Sequence, residues 1–406
     1  MSLQKFRTDR SGNVAIIFAL TITAIISMLG LAIDFQRSVS AEQNVQSALD
    51  NSTLAAVRLM QDASKTPAEI KTYAETMFAQ NIKGANANLN CPTPTVTVDV
   101  KAGKARADVS CHLPTTLASL FSIQQVKVTQ TSTSSVNITN LDLAMMLDVS
   151  GSMSGQKIKD LQDAAKNAID ILITPQTGDR VRIAFNTYST AINVGDYAKD
   201  VKGSNYDKDS STKHCVTERD GTAKFRDDAP AWGKYMEEEK KSTDDKSLSC
   251  PSSSLEPLTH KASHLKTEIG KLSANGWTAG HLGIAWAWYL ISPDWDKIWP
   301  KDSKPLAYDE PKAVKAVILM TDGEFNTHYQ TGQGNSVSQS KKLCENMRKE
   351  GVIVYSVAFK APKSGRQVLK KCASSSDHYF DAKNGAQLKQ AYADIASQLT
   401  NLRITN

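Results

Sequence analysis

Residues 141–153 read LDLAMMLDVSGSM, and this stretch decides the fold of the chain. Leu141–Leu147 is an almost continuous apolar run, which is typical of a strand buried on both faces of a parallel sheet. Asp148, Ser150 and Ser152 then stand at alternate positions, so a carboxylate and two hydroxyls can turn toward one point. Gly151 lets the loop bend tightly between them. The stretch predicts a buried strand that ends in a cluster of oxygen donors.

Beyond this strand, apolar strands alternate with helical patterns to the end of the chain. Further strands are predicted at Arg180–Phe185, Val314–Met320 and Val352–Phe359. Helices are predicted over residues 158–172, 265–272, 282–290, 341–349 and 387–399. This alternation predicts an α/β fold with a doubly wound, mostly parallel sheet. A ligand site in such a sheet lies at the carboxyl ends of the strands.

Two later loops offer more oxygen donors after elements expected in the same sheet. Thr278 lies in the loop Gly276-Trp277-Thr278-Ala279-Gly280, and Asp322 follows the strand Val314–Met320 in Thr321-Asp322-Gly323. Oxygen ligands of this kind suit hard divalent cations, with Mg²⁺ favoured and Mn²⁺ or Ca²⁺ as alternatives. The competing interpretation is structural, with Ser152 or Ser154 capping a helix while Asp148 ends a strand.

These three elements, in this order, resemble the metal-ion-dependent adhesion site of von Willebrand factor A domains. The resemblance implies that Ser150, Ser152 and Thr278 coordinate the metal directly. Asp148 and Asp322 would anchor the site, directly or through water. It also implies that a partner protein supplies a carboxylate to the remaining coordination position.

The N-terminal region predicts a membrane anchor. Lys5, Arg7 and Arg10 precede the uncharged run Val14–Ile33, which ends at Asp34. A helix of this length spans roughly 30 Å, the thickness of a bilayer's hydrocarbon core. Basic residues before the span favour a cytoplasmic N-terminus and an external C-terminus. The alternative is a signal peptide that is cleaved near residues 39–41.

Three segments follow from these patterns. Residues 1–60 are expected to form the anchor and a pilin-like stalk helix, because near-helical apolar spacing continues through Met60. Residues 61–138 read as a small α+β module, with a helix at Ala68–Ile82 and strands that alternate apolar and polar residues. Residues 139–406 form the A-type domain, interrupted at about 197–254 by a charged insertion. A solvated decoration is the default interpretation of that insertion, and a partner-binding surface is the alternative.

The whole chain also resembles the TadE/TadG-like proteins of tight-adherence (Flp) pilus assembly that carry an A domain. The resemblance rests on Arg10-Ser11-Gly12-Asn13-Val14-Ala15, on Gly30-Leu31-Ala32-Ile33-Asp34, on residues 286–293 and on the segment from Cys372 to Ala382. One position departs from the pilin pattern. Pilin-like processing after Gly12 would require a glutamate where this chain has Ile17, which argues against cleavage there and against polymerisation.

The cysteines support an external location. The chain has six, none in a C-x-x-C pair, at Cys91, Cys111, Cys215, Cys250, Cys344 and Cys372. An even number outside the cytoplasm favours disulfides, for which 15 connectivities exist. Pairing in sequence order keeps each bond within one segment. Six reduced thiols become the better interpretation if the orientation is wrong.

Catalytic patterns are incomplete. Residues 151–155, GSMSG, place Met153 where a nucleophile elbow needs serine, and His260 and His264, four apart on a predicted helical face, lack the glutamate of a zinc protease. The tryptophans at 286, 288, 295 and 299 favour packing over a sugar-binding platform. The net charge of +6 comes from scattered basic residues, so no nucleic-acid surface is predicted. We therefore expect a non-enzymatic protein.

The predicted function is that of a single-pass protein of the bacterial inner membrane that takes part in tight-adherence pilus assembly. Its C-terminal domain would be periplasmic or surface-exposed and would bind an acidic side chain of a pilus or envelope partner through its metal. The alternative is a periplasmic scaffold in which the metal only stabilises the fold.

Overall fold

The computed structural model describes residues 11–60, 65–83, 89–100, 102–135, 139–175, 177–219 and 221–405. They form two compact units, which lie within residues 1–136 and 137–406 and are called unit 1 and unit 2. Lys5, Arg7 and Arg10, which predict the membrane orientation, lie outside the described residues.

Unit 1 begins with helix α1, Ser11–Leu59, which is continuous over 49 residues. Its N-terminal part contains a window of 18 residues with a mean hydropathy of 2.5, of which only 6% is buried. Large apolar side chains from Ile16 to Phe35 are exposed in this part of the helix. By length and composition, α1 can cross a membrane.

The second half of α1 packs against the rest of unit 1. Helix α2, Pro67–Lys83, lies against it, and strands β1, Thr95–Asp99, β2, Lys104–Pro114, and β3, Gln125–Ser135, form an antiparallel sheet in that order. Side chains of β2 alternate between buried and partly or fully exposed, as expected of a sheet with one covered face. The core joins α1 residues to α2 and the sheet, namely Val45, Leu49, Phe78, Val109 and Val128 among others.

Unit 2 is built on an eight-stranded sheet. Its strands are β4 Asn140–Asp148, β5 Val181–Tyr188, β6 Ile192–Asn193, β7 Cys215–Val216, β8 Glu256–Thr259, β9 Ala313–Thr321, β10 Ile353–Phe359 and β11 Tyr379–Ala382. Its helices are α3 Gln156–Leu172, α4 Ala198–Lys202, α5 Ala262–Gly270, α6 Gly280–Tyr289, α7 Ser336–Lys349, α8 Lys363–Cys372 and α9 Gly385–Thr405.

The strand order is β11-β10-β9-β4-β5-β6-β7, with β8 paired to β5. The five strands from β11 to β5 are parallel, whereas β6, β7 and β8 pair antiparallel. β4 is central, because the chain adds β5 on one side of it and β9 on the other. This is the predicted doubly wound, mostly parallel α/β fold, with an antiparallel edge added by β6, β7 and β8.

Both faces of the sheet are covered, which explains the apolar run in β4. Ala144 and Met146 point into a core shared with α6, α7 and α8. Leu143, Met145 and Leu147 point into the opposite core, shared with α3, α5 and α9. Alternate side chains of one strand therefore serve two cores, as in buried parallel sheets.

Three details differ from, or add to, the sequence expectations. His260 precedes α5 while His264 lies within it, so the expected helical pair was wrong, and His264 Nε2 instead contacts Glu256 at 3.0 Å. The four tryptophans are buried, and Trp286, Trp295 and Trp299 contact one another in sequence; the rings of Trp295 and Trp299 stack 5.7 Å apart. The insertion is not only a solvated decoration, since Val201, Val216 and Met236 join the core.

Three disulfides are present, and they follow sequence order. Cys91 bonds to Cys111 in unit 1, and Cys215–Cys250 and Cys344–Cys372 lie in unit 2. The second bond closes the insertion, and the third joins α7 to the end of α8. Each bond links parts of one unit.

A buried ionic cluster lies near the amino ends of the central strands, away from the oxygen donors. The carboxylate of Asp142 accepts from Arg182 Nη2 at 2.7 Å and from Lys315 Nζ at 3.3 Å. The side chains of Asp142 and Lys315 are 1% and 5% exposed. Burial lowers the pKa of Lys315, while the charge of Asp142 opposes that shift. Loss of the Asp142 carboxylate would therefore leave the charge of Lys315 buried without its partner.

We expect Asp142→Asn to lower the free energy of unfolding of unit 2 by about 3–5 kcal/mol, because it leaves a buried ammonium without its carboxylate. All six tryptophans lie in unit 2, so urea unfolding of the detergent-solubilised chain followed by tryptophan fluorescence measures it. Asp170→Asn, which breaks the exposed pair with Lys266, is the control and should cost less than about 1 kcal/mol. Equal losses would contradict the assignment.

Candidate metal centre

The predicted donor residues lie at the carboxyl edge of the central strands. Asp148 ends β4, Asp322 directly follows β9, and Thr278 lies in the loop that leads into α6. Because β4 and β9 are parallel neighbours, their carboxyl ends share one edge of the sheet. The strand order also reverses at β4, because β5 is added on one side of it and β9 on the other. Open α/β sheets bind ligands at the carboxyl ends of the strands where the order reverses.

Asp148 is fully buried, and its carboxylate is oriented from three sides. Oδ1 accepts from the backbone N–H of Ser150 at 2.8 Å. Oδ2 accepts from the hydroxyl of Tyr188 at 3.0 Å and from Thr321 Oγ1 at 2.6 Å. Strands β5 and β9 thus hold the carboxylate at the end of β4.

The two serines connect Asp148 to the loop after β9. Ser150 Oγ and Ser152 Oγ lie 3.1 Å apart, and Ser152 Oγ donates to Asp322 Oδ1 at 2.6 Å. The other oxygen of Asp322 accepts from Lys157 Nζ at 2.5 Å. The serine hydroxyls therefore link the first motif to Asp322, which also pairs with the ammonium of Lys157.

Thr278 reaches the same place through the loop before α6. A Cβ built on Gly323 would lie 3.3 Å from Thr278 Oγ1 and 3.7 Å from Ser152 Oγ, so both hydroxyls border this glycine. Backbone hydrogen bonds join the loops, since Gly151 N donates to Gly276 O at 2.9 Å. The structure thus brings the first motif, Thr278 and Asp322 together.

The alternative capping role of the serines finds no support in the geometry. Helix α3 begins at Gln156, its N-cap residue is Gly155, and no side chain caps it. The short 3₁₀ turn Gly151–Met153 also lacks a side-chain cap. The hydroxyls of Ser150 and Ser152 instead face each other, and Ser152 faces Asp322.

Burial and the neighbouring carboxylate of Asp322 both oppose the ionisation of Asp148. Burial raises the pKa of Asp148, and the negative charge of Asp322 raises it further. Burial also raises the pKa of Tyr188 well above its usual value, and the negative charge of Asp148 raises it further. A divalent cation would offset both effects on the pKa of Asp148, since it stabilises nearby negative charge. Three hydroxyls and two carboxylates form the all-oxygen donor set that hard cations take.

Sequence reasoning missed the residues that support the donors. Tyr188 and Thr321 hold Asp148, and Thr190 Oγ1 accepts from the N–H of Trp277 at 3.0 Å. Tyr188 and Thr321 end β5 and β9, so their strand-end positions were a usable signal. Lys157 offered no such signal, because its pairing with Asp322 depends on how α3 packs.

Comparison with known proteins identifies two parts of the chain. The family described as putative Flp pilus-assembly TadE/G-like matches residues 12–60, and the von Willebrand factor type A domain matches residues 303–394. The chain joins a TadE/G-like segment to a von Willebrand factor A domain. Both resemblances drawn from the sequence are confirmed, as is the fold class. The A-domain match includes Asp322, whereas the first motif and Thr278 precede it.

Solved structures give weaker similarities. The pilus adhesin SpaC from Lactobacillus rhamnosus GG is 10% identical, with a TM-score of 0.42 over 78% of this chain. The vWF domain of the type V pili tip protein Mfa5 from Porphyromonas gingivalis is 12% identical, with a TM-score of 0.41 over 66% of this chain and 97% of its own.

A structure of proximal thread matrix protein 1 from the mussel byssus, with a zinc-occupied MIDAS motif, is 14% identical, with a TM-score of 0.35, and the match covers 65% of this chain and 47% of its own. This chain spans only 35% of the length of the SpaC structure. No curated protein matches the chain.

Gly276 is required where the loops meet. Its φ is +85°, and a Cβ there would lie 2.8 Å from Thr190 Oγ1 and 3.0 Å from Ser189 Oγ. Gly276→Ala should therefore lose about 1–2 kcal/mol from the left-handed backbone and about 1–3 kcal/mol more from crowding. Gly351, with φ +81° and no atom within 4 Å, is the control for backbone strain alone. Urea unfolding of both alanine variants measures the difference, and equal losses would refute the crowding.

Proposed function

We propose that this chain is a membrane-anchored envelope protein of tight-adherence pilus assembly that binds a partner protein through a metal-ion-dependent adhesion site. Ser150, Ser152 and Thr278 are the proposed direct ligands, and Asp148 and Asp322 anchor the ion directly or through water. Mg²⁺ is the favoured cation, with Mn²⁺ or Ca²⁺ as alternatives. When bound, the cation supplies an open coordination position for a carboxylate oxygen of the partner.

The observation that carries this proposal is the meeting of three separated loops around one set of oxygen donors. The hydroxyls of Ser152 and Thr278 border Gly323, and Ser152 donates to Asp322. Asp148 and Asp322 are almost fully buried, so their charges are poorly hydrated. Buried carboxylates without enough counter-charge favour a bound cation.

The proposed location follows from the N-terminal helix and the disulfides. Residues 14–33 would cross the inner membrane once, within residues 1–60 that form the anchor and stalk. Basic residues before the span favour a cytoplasmic N-terminus, and disulfides are typical of an oxidising compartment outside it. The small α+β module, residues 61–138, and the A domain, residues 139–406, would then be periplasmic or surface-exposed.

A second candidate is a periplasmic scaffold whose metal only stabilises the fold. It is favoured by the hydrogen bonds of Asp148 to Tyr188 and Thr321, which tie the ends of three strands together. The two candidates differ in what the loss of one serine hydroxyl does. A partner-binding site loses its partner, whereas a structural site loses stability.

Tb³⁺ should bind the full-length protein at one site and give luminescence sensitised by Trp277, which adjoins Thr278 and is 52% exposed. Mg²⁺ should displace it. Asp148→Asn should abolish the signal, since it removes the carboxylate. The shape of the side chain is preserved, and the hydroxyls of Tyr188 and Thr321, which donate to the carboxylate, can instead accept from the amide. Asp163→Asn, on the exposed face of α3, is the matched control and should titrate like the parent. Unchanged titration of Asp148→Asn would remove Asp148 from the site.

Ser152→Ala should abolish a Mg²⁺-dependent crosslink to a partner in intact cells, with only a small loss of stability from the lost hydrogen bond to Asp322. Ser154, two residues further along, is also exposed and is not among the proposed ligands, so Ser154→Ala is the control and should keep the crosslink. Chelator should remove the crosslink from the parent and from the control. A large loss of stability in Ser152→Ala with the crosslink kept would instead favour the scaffold.

A further inference from the structure

The loop between β2 and β3 of unit 1 carries an exposed apolar tip. Leu120 is 78% exposed, Phe121 52% and Ile123 48%, all within a few residues of the 3₁₀ turn Ala118–Phe121. Three large apolar side chains this close together are unusual on a water-facing loop. The tip therefore forms an exposed apolar patch on unit 1.

Asp34 holds this loop against α1. Its carboxylate accepts from the backbone N–H groups of Thr116 at 3.0 Å, Leu117 at 2.8 Å and Ala118 at 2.8 Å. Arg37 Nη1 contacts Asp34 Oδ1 at 3.2 Å on the outer side of the same junction. A carboxylate with several N–H donors is a strong, charge-assisted attachment.

Gly30 lets the loop approach the helix still closer to its N-terminus. A Cβ at this position would lie 2.5 Å from Leu117 Cδ1, so any larger residue would push the loop away. Gly30 precedes Asp34 by one helical turn, or about 6 Å along the axis at 1.5 Å per residue. The loop therefore lies beside the last turn of the apolar run.

The exposed surface of α1 at that level is apolar too. Leu29 is 60% exposed, Leu31 43% and Ile33 54%, so the loop that carries the tip is attached beside an apolar part of the helix surface. Just beyond, Asp34 is buried against the loop, Phe35 is still 71% exposed, and the basic side chain of Arg37 follows. Lys127, which is also exposed, lies two positions into β3 past the loop. This order matches the passage from hydrocarbon to headgroups.

The backbone of the loop can enter a low-dielectric region. Leu120 N donates to Leu117 O at 3.1 Å, Ser122 N to Ser119 O at 3.1 Å, and Ile123 N to Ala118 O at 3.3 Å. Backbone groups that are bonded within the protein do not lose hydrogen bonds to water on insertion.

We propose that the Leu120–Ile123 tip inserts into the outer headgroup–acyl boundary of the lipid bilayer that α1 crosses. The proposal rests on the membrane anchorage proposed above and not on the metal site. The occupant is the bilayer itself, because the loop that carries the tip is attached beside the exposed apolar surface of the span. With this second contact, unit 1 has a defined depth and a defined rotation about α1 at the membrane surface.

The test uses full-length protein with one added cysteine, reconstituted in vesicles of phosphatidylcholine and phosphatidylglycerol. The native cysteines are all disulfide-bonded, so an environment-sensitive fluorophore labels the added one. Leu120→Cys reports on the tip, and Phe121→Cys is a second tip variant. Leu29→Cys reports on the span, and Leu54→Cys, also exposed but about 30 Å beyond Asp34 on α1, is the aqueous control.

Labels at 120 and 121 should show blue-shifted emission and should be quenched by lipid-borne nitroxide about as strongly as the label at 29. Aqueous Co²⁺ should quench the label at 54 but not the labels at 120 and 121. Tip labels that behave like position 54, with position 29 lipid-quenched, overturn the loop proposal and leave the anchor standing. If position 29 is also quenched from water, the anchor fails and the loop proposal fails with it.

Discussion

The covering of β4 on both faces is the constraint on which unit 2 depends. A central strand that serves two cores has no room for polar side chains along its length, apart from Asp142, which Arg182 and Lys315 neutralise. Polar groups can therefore gather only where the strand ends. Asp148 stands at that end, and its neighbours β5 and β9 deliver Tyr188 and Thr321 to the same carboxylate.

The proposed metal centre would balance the negative charge that this geometry buries. Asp148 and Asp322 are nearly inaccessible to water, and burial raises the pKa of Asp148. Lys157 partly balances Asp322, while Asp148 has only hydroxyl and amide donors around it. Hydroxyl oxygens from Ser150, Ser152 and Thr278 complete a donor set suited to a hard cation. This is why a binding role is a better account than a helix cap.

In unit 1 a buried aspartate again orders the structure, here by attaching a loop to a helix. There a carboxylate, Asp34, binds a loop to a long helix through backbone N–H groups, and Gly30 allows the close approach. The result is an apolar loop tip placed beside an apolar helix surface. One buried aspartate organises each unit, in unit 2 at a strand end and in unit 1 at the edge of the proposed span.

The sequence by itself determined the alternation of strands and helices, the apolar span and the order of the three donor motifs, because periodicity and run length are local properties. The fold class and both family resemblances are confirmed, while the ligand roles and the segment boundaries stay predictions. Only the tertiary structure decided that Tyr188 and Thr321 hold Asp148, that Lys157 pairs with Asp322, and that His260 lies outside its expected helix. These contacts join residues far apart in the chain, and packing, which no local pattern encodes, sets their distances.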